Sequence, residues 1–214
     1  MSGIRLGVLI SGSGRTLHNL LDRVADGRLR AQVVGVVSSR RRGPANEAVW
    51  SRCESLGVPV ALIRAGDHAS AEAFSEAQAA WLDSHRVQLV AMAGYLTFWP
   101  IPPRYRFRVL NIHPALLPKF GGRGFYGHHV HEAVLAAGER ESGCTVHIAD
   151  NEYDHGPVVL QRPVPVLPGD TPDSLAARVF AAELEAFPSA INLFADGRVV
   201  IDEATGTIAV RDES

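Results

Sequence analysis

Short β-rich apolar runs alternate with amphipathic segments along the first half of this 214-residue chain. Residues 4–11 are largely apolar, as in a strand buried on both faces, whereas residues 16–26 place four apolar side chains on one helical face before Gly27. This alternation is typical of βαβ units. It predicts a Rossmann-like α/β fold, with helices flanking a mostly parallel sheet, strands at 4–11, 32–38, 58–63 and 87–93, and helices at 16–26, 45–56 and 70–85.

The second half begins with an irregular connection, because three prolines exclude a regular helix there (Pro100, Pro102 and Pro103). Thr171-Pro172-Asp173 is a favourable helix start, with proline at the first helical position. Two short runs around Gly206 predict a C-terminal β-hairpin. No repeat or low-complexity linker interrupts the chain, so we predict one domain over residues 1–214. The elements predicted in this half are strands at 108–112, 143–149, 158–166, 199–201 and 207–210, and helices at about 128–137 and from 171 onward.

Composition and charge restrict the class of protein. With 46% hydrophobic residues the chain can bury a substantial core without disulfides or a structural metal. The chain has only two cysteines, Cys53 and Cys144, and they are far apart in the sequence, which suits a reducing cytoplasm. We expect no secretory leader at residues 1–5 and no membrane span, since no apolar run approaches the roughly 20 residues required. A net charge of −2 indicates no nucleic-acid or membrane partner, and we interpret the basic run 40–42 as a solvated loop.

The first chemical motif is the glycine-rich turn 11–16, which leads from a strand into a helix. Glycines allow close backbone approach to an anion, and free amides at a helix N-terminus attract negative charge, so a phosphate site is one interpretation. A dinucleotide site would need a small residue at Leu17 and an acidic residue near Ser39. Arg40 keeps an NADP-dependent reductase open as an alternative. A tight turn with no ligand is the structural alternative.

The second motif is Asn111-Ile112-His113-Pro114 at the end of a predicted strand. Residues two apart on a strand point the same way, so Asn111 and His113 share a face at the edge where open α/β sheets bind ligands. We expect both at the rim, because Pro114 ends the strand. An amide can donate to a developing oxyanion and an imidazole can move protons near neutral pH, a pairing that suits acyl transfer. A purely structural role for His113 is the alternative.

The polar loop 150–157 contains three carboxylates and reads by default as an exposed turn. One of its carboxylates can face His113, hold the imidazole in place and favour its protonated form. Four further histidines lack a metal-binding spacing, and we interpret them as solvated or substrate-lining, with no metal site expected (His128, His129, His131 and His147).

Three segments together resemble the folate-dependent glycinamide ribonucleotide formyltransferases, over nearly the whole chain. The matching segments are the Asn-x-His-Pro-x-Leu-Leu-Pro run at 111–118, Ala93-Gly94-Tyr95-Leu96 before it and Asp154-x-Gly-Pro after it. The insert 120–127 is most similar to plant-type members. The resemblance implies the formyltransferase fold, with a nucleotide-binding half at 1–110 and a catalytic and folate-binding half at 111–214.

The resemblance also implies site residues and substrates. Asn111, His113 and Asp154 match the catalytic trio, with 10-formyltetrahydrofolate as co-substrate and a monomer or homodimer as the working form. In this mechanism Asn111 stabilises the oxyanion, His113 relays a proton, and Asp154 orients His113 and raises its pKa. The residues matching the glycinamide ribonucleotide site are Gly14, Arg15, Thr16, Gly94 and Glu183. The residues matching the folate site are Leu96, Thr97, Phe98, Trp99, Asn111 and Asp154.

Four positions depart from the family pattern. Thr16 replaces a common asparagine and Phe180 replaces a polar or basic residue near the phosphate, a loss for which Arg15 can compensate; Ala71 and Thr97 replace basic residues toward the folate. Related activities are alternatives, namely tRNA formylation, formyltetrahydrofolate hydrolysis and sugar-nucleotide formylation. The tRNA enzyme and the hydrolase carry additional domains for which this sequence offers no candidate segment. A nucleotide-binding module without turnover is an alternative from another class.

Overall fold

The structure is a computed structural model that describes residues 3–212. Five strands and three helices form by residue 113, namely β1 (Ile4–Ile10), α1 (Arg15–Ala25), β2 (Ala31–Ser38), α2 (Glu47–Ser55), β3 (Val60–Leu62), α3 (Ala71–Ser84), β4 (Leu89–Met92) and β5 (Val109–His113). The remaining elements are α4 (His128–Ala136), β6 (Glu141–Ile148), β7 (Val158–Pro165), α5 (Pro172–Ala195), β8 (Val199–Asp202) and β9 (Thr207–Val210). Seven strands form one sheet in the order β3-β2-β1-β4-β5-β6-β7, and β8 pairs with β9. The predicted α/β class is confirmed.

The chain divides into two compact units, one ending at Leu110 and the other beginning at Asn111. In the first unit β1 runs parallel to β2 and β4, and β2 runs parallel to β3. Helix α3 packs closely on this part of the sheet because two strand residues lack side chains. A Cβ at Gly35 would lie 2.5 Å from the Trp81 ring, and one at Gly7 would lie 2.8 Å from Leu82. The predicted βαβ pattern is confirmed in this unit.

Helix termini in the first unit follow the expected capping chemistry, with small shifts in position. The Ser70 hydroxyl accepts a hydrogen bond from the Ala73 amide and so caps α3. Helix α2 begins two residues later than predicted, because the Asn46 side chain instead accepts from the Gly43 amide in the preceding turn. Strand β3 is shorter than predicted, since the Val58 amide still donates to Cys53 at the end of α2.

In the second unit β6 and β7 are antiparallel, and the predicted C-terminal hairpin forms as β8 and β9. Helix α5 starts with a capping box in which Thr171 and Ser174 each accept from the other's backbone amide, and Pro172 occupies the first turn. Asp170, just before the cap, forms a 2.7 Å ion pair with Arg178, about two turns further along. The capping predicted from 171–173 is therefore confirmed.

Candidate active site

The two side chains of β5 that sequence analysis selected lie two residues apart on the strand, which ends at His113, directly before Pro114. Asn111 is half-buried, as expected at the sheet rim. His113 is only 4% exposed, more buried than a rim position suggests. The cause is the segment after β5, since the carbonyl of Phe120 accepts a 2.8 Å hydrogen bond from His113 Nε2.

Asp154 meets both of these residues. Its Oδ2 lies 3.4 Å from His113 Nδ1, and its Oδ1 accepts a 3.3 Å hydrogen bond from Asn111 Nδ2. Asp154 has a φ of 54°, a left-handed conformation that is unfavourable for a residue with a side chain. The second unit thus brings the three predicted catalytic residues together, with Asp154 between the amide and the imidazole. One exposed turn does not account for a carboxylate that is 10% exposed.

The segment 118–122 contributes backbone groups that sequence reasoning missed. Besides the Phe120 carbonyl, the Gly122 amide donates a 3.0 Å hydrogen bond to Asp154 Oδ2. The start of the segment is held in place, because the Leu117 amide donates to Thr145 on β6 and its carbonyl accepts from Gln161 on β7. Backbone atoms therefore orient both the histidine and the carboxylate of the trio.

Gly121 lies where a larger residue would disturb this arrangement. A Cβ there would overlap the Leu117 side chain and lie 3.2 Å from Asp154 Cβ, closer than ordinary contact. We expect Gly121→Ala to displace Asp154 and lower kcat about 10-fold, because small misplacements of catalytic groups are costly. Steady-state kinetics with a thermal-unfolding control measures this. Gly66→Ala, at a glycine with open space around it, is the matched control, and equal kcat in the two variants would contradict the prediction.

Burial and charge act in opposite directions on the trio. Burial of the ring lowers the pKa of His113 below its ordinary value, and the opposing charge of Asp154 does not fully restore it. The predicted effect of Asp154 thus has the expected sign, but the net pKa shift of His113 is downward. Burial tends to raise the pKa of Asp154, yet the neighbouring ring of His147, the charge of His113 and the Gly122 amide together lower it.

Two of the four remaining histidines are not solvated, contrary to one of the two interpretations we gave them. His131 on α4 and His147 on β6 are 4% and 1% exposed, whereas His128 and His129 are exposed. Nδ1 of His131 is buried without a hydrogen-bond partner. Within residues 3–212 no three His, Cys, Asp or Glu side chains are grouped so that they could hold a metal ion.

His131 makes the stability of the fold sensitive to acid. Burial, followed by the charges of His128 and His113, lowers the pKa of His131 to about 4. Between pH 6.5 and 4 the unfolded chain therefore binds a proton that the folded chain does not, so the free energy of unfolding falls as the pH falls. We expect a loss of about 1–2 kcal/mol at pH 5 from this residue.

Urea unfolding of His131→Gln at pH 7 and pH 5 tests this expectation. The variant should show a shallower decrease in unfolding free energy than the wild type. His129→Gln, an exposed position on the same helix, should keep the wild-type pH dependence. A parallel decrease in wild type and His131→Gln would contradict the assignment.

The glycine-rich turn lies at the start of α1 in the first unit. Gly14 is the N-cap residue with a φ of 75°, and no side chain caps the helix. A Cβ at Gly14 would lie 2.7 Å from Val49, so this glycine also has a purely structural reason to be present. Arg15 is exposed and Thr16 is buried. The uncapped helix start is compatible with an anion site, and the tight-turn alternative accounts for Gly14 equally well.

Two further predicted segments adjoin this turn within the same unit. The Ser11 amide donates a 3.1 Å hydrogen bond to the Gly94 carbonyl, and the Ser11 hydroxyl accepts from the Leu96 amide at 2.9 Å. Leu96 and Phe98 are exposed, whereas Trp99 is 2% exposed and its ring packs in the core. The structure therefore places Gly94 and Leu96 beside the glycine-rich turn, and leaves two apolar side chains accessible in the predicted folate segment.

Glu183 lies half-buried on α5 in the second unit. Burial, with the charge of Glu183 as the second cause, raises the pKa of the Cys144 thiol on β6 to about 12. Helix α5 packs against β6, so Glu183 lies on the helix that contacts this strand. Arg40, the candidate for an NADP phosphate, has its backbone engaged in a local turn with the Ser38 hydroxyl.

Fold and trio together define an α/β protein with an amide, an imidazole and a carboxylate at the carboxyl end of a strand, a centre suited to acyl transfer. Residues 4–191 match the family model described as formyl transferase. The chain belongs to this family.

Named relatives agree with the assignment. The chain is 38% identical over 197 residues to the trifunctional purine biosynthetic protein adenosine-3 of Drosophila pseudoobscura, covering 90% of this chain but only 14% of that protein. It is 35% identical to the chloroplastic phosphoribosylglycinamide formyltransferase of Arabidopsis thaliana, covering 91% of this chain and 66% of the relative. The structure of glycinamide ribonucleotide transformylase 1 from Symbiobacterium toebii matches with 37% identity and a TM-score of 0.86, covering 99% of this chain and 95% of that one.

Proposed function

We propose that the protein transfers the formyl group of 10-formyltetrahydrofolate to the amine of glycinamide ribonucleotide, a step of de novo purine synthesis. The observation that carries the proposal is the convergence of Asn111, His113 and Asp154 in a chain of the formyl transferase family. The names of the relatives that match nearly the whole chain supply the acceptor.

The chemistry follows from the groups that the trio presents. The glycinamide nitrogen attacks the formyl carbon, a C–N bond forms, and the carbonyl oxygen becomes a tetrahedral oxyanion. Asn111 donates an N–H to this oxygen. The bond between the formyl carbon and the folate N10 then breaks, and N10 leaves with a proton, so that the products are the formylated amide and tetrahydrofolate.

His113 is the group that moves the proton. A neutral imidazole can accept it from the attacking nitrogen and pass it to N10. The lowered pKa of His113 supports this order of events, since the ring begins the cycle neutral near pH 7. Asp154 then stabilises the imidazolium that forms, through its charge 3.4 Å from Nδ1.

For substrate binding we assign the nucleotide mainly to residues 1–110, and catalysis and folate mainly to residues 111–214; Glu183 and the segment Leu96–Trp99 are the exceptions. Gly14, Arg15 and Thr16 would hold the phosphate at the start of α1, beside Gly94, and Glu183 would receive the ribose hydroxyls. Support comes from the uncapped N-terminus of α1 and from the hydrogen bond that ties Gly94 to Ser11. Thr16 and Phe180 both differ from the family pattern around the phosphate. Arg15 is therefore the cation of the motif that we assign to the phosphate.

We assign the folate ring to the segment Leu96–Trp99 together with Asn111 and Asp154. The accessible side chains of Leu96 and Phe98 support an apolar contact with the pterin, whereas the burial of Trp99 confines its contribution to backbone groups. The co-substrate supplies the formyl group, and the proposed reaction requires no metal.

We further propose a cytoplasmic monomer or homodimer that acts on small molecules, with no nucleic-acid or membrane partner. Cys53 and Cys144 are free and buried, in keeping with a reducing compartment. None of the helices in residues 3–212 is long and apolar enough to cross a membrane. Sedimentation analysis of the purified chain distinguishes monomer from dimer.

An absorbance assay for loss of the formyl group from 10-formyltetrahydrofolate tests the proposed reaction. We expect turnover with glycinamide ribonucleotide and none with the already formylated nucleotide, which lacks the attacking amine. Turnover that is independent of the acceptor would indicate a hydrolase and contradict the proposal. Absence of formyl transfer, together with saturable binding of NADPH in a fluorescence titration, would favour the reductase alternative.

A further inference from the structure

A fourth polar side chain contacts the trio. His147 on β6 is 1% exposed, and its Nε2 lies 3.0 Å from Asn111 Nδ2. Its other ring nitrogen, Nδ1, lies 3.3 Å from the carbonyl oxygen of Ile148. A buried histidine with a hydrogen-bond partner at each ring nitrogen has a defined protonation pattern, because each partner can act only as a donor or only as an acceptor.

The partners of His147 select one tautomer. An amide nitrogen can only donate and a carbonyl oxygen can only accept, so Nε2 must be unprotonated and Nδ1 must carry the proton. In the opposite tautomer Nε2–H would point at another donor 3.0 Å away, and its remaining acceptor, Asp154 Oδ1, lies at 3.6 Å, beyond hydrogen-bond range. The geometry therefore favours the tautomer with the proton on Nδ1.

Asp154 determines which way the Asn111 amide faces, and His147 then holds that orientation. If the amide were turned around, its oxygen would lie 3.3 Å from the Asp154 carboxylate, which can only accept and would repel it, so the amide nitrogen faces these residues whichever tautomer His147 adopts. Nδ2, Nε2 and Oδ1 of Asp154 form a nearly equilateral triangle, with sides of 3.0, 3.3 and 3.6 Å. Both acceptors thus lie on one side of Nδ2 and can share one N–H.

We infer that His147 is a positioning residue for formyl transfer: its unprotonated Nε2 accepts from Asn111, fixes the orientation of the amide and leaves the second N–H of Nδ2 for the substrate oxygen. This inference rests on the proposed function for its catalytic consequence. The hydrogen bond itself does not depend on the reaction, so the two can be tested separately.

The tautomer is measured first, in wild-type protein labelled with 15N at histidine. Long-range 1H–15N correlation spectra distinguish a protonated from an unprotonated ring nitrogen. We expect the His147 signals to show a protonated Nδ1 and an unprotonated Nε2 at neutral pH. A protonated Nε2 would overturn the inference, whether or not the protein formylates glycinamide ribonucleotide.

Steady-state kinetics of two variants measures the catalytic consequence. His147→Leu removes the acceptor, and we expect kcat to fall about 5- to 10-fold, the loss expected for one neutral hydrogen bond, with both KM values changed less than about twofold. His147→Gln supplies an amide oxygen as acceptor and should restore most of kcat. Val146→Ala, which truncates the buried neighbour of His147 on β6, controls for loss of packing and should retain the wild-type kcat.

The outcomes separate the two levels of the proposal. Wild-type protein without formyl transfer would overturn the proposed function, and the tautomer would still decide the hydrogen bond. An active wild type with unchanged kcat in His147→Leu would overturn the positioning role. Equal losses in His147→Leu and His147→Gln would do the same, because packing alone would then account for the effect.

Discussion

Replacing His113 with alanine is expected to lower kcat for formyl transfer about 100-fold or more, with a smaller effect on either KM. A positioned acid–base group contributes on this scale. His113 is the only imidazole of the trio, the side chain best suited to proton transfer, and its ring is held on both sides, by Asp154 at 3.4 Å and by the Phe120 carbonyl at 2.8 Å. Its loss therefore removes the proton relay and leaves substrate binding largely in place.

Initial rates at saturating concentrations of both substrates measure this effect. His129→Ala removes an exposed histidine from α4 and is the matched control, with wild-type turnover expected. His113→Asn fills more of the buried space and shows whether any loss reflects unfolding. Undiminished turnover in His113→Ala would exclude this residue as the proton relay.

Replacing Asp154 with asparagine is also expected to lower kcat by about 100-fold, for a different reason. The variant keeps the shape of the side chain but loses the negative charge that opposes the effect of burial on His113. Without it the pKa of His113 falls further, so the imidazolium formed during the reaction is less stable. The new amide group also brings a donor toward Asn111 Nδ2 or the Gly122 amide, each of which needs an acceptor.

The pH dependence of kcat identifies the cause. We expect the acidic limb assigned to His113 to move to lower pH in Asp154→Asn. Asp150→Asn, in the same loop and paired with His155 on the surface, is the matched control and should leave both kcat and the limb unchanged. If kcat falls by the expected factor but the acidic limb of its pH profile does not shift, then Asp154 acts on Asn111 or on the loop geometry. In that case it does not act through the ionisation of His113.

Sequence periodicity was sufficient for the parts of the site that lie on regular structure. The spacing of Asn111 and His113 on a strand ended by Pro114 predicted a shared face at the sheet edge, and β5 confirms it. Asp154 could be predicted as a catalytic residue only from the family resemblance. Its position depends on a loop in which Asp154 adopts a φ of 54°, and the residue pattern of a single sequence does not predict such a conformation.

Three other features had no signal in the residue pattern. The Phe120 carbonyl and the Gly122 amide are backbone groups, which every residue carries, so their contacts follow from the path of the chain. His147 was grouped with three other histidines because its partner is 36 positions away in the sequence. Nothing in a single sequence identifies the residue that this histidine meets.

The anchoring of the segment after β5 implies a rule about chain length. Leu117 is tied to β6 and β7, and five residues later Gly122 meets the trio, so adding or removing one residue between them would withdraw both backbone contacts together. Residues 123–127 are exposed and carry no such constraint. Loop exchange among related chains should therefore succeed when the graft begins after Gly122 and fail when it begins before Phe120.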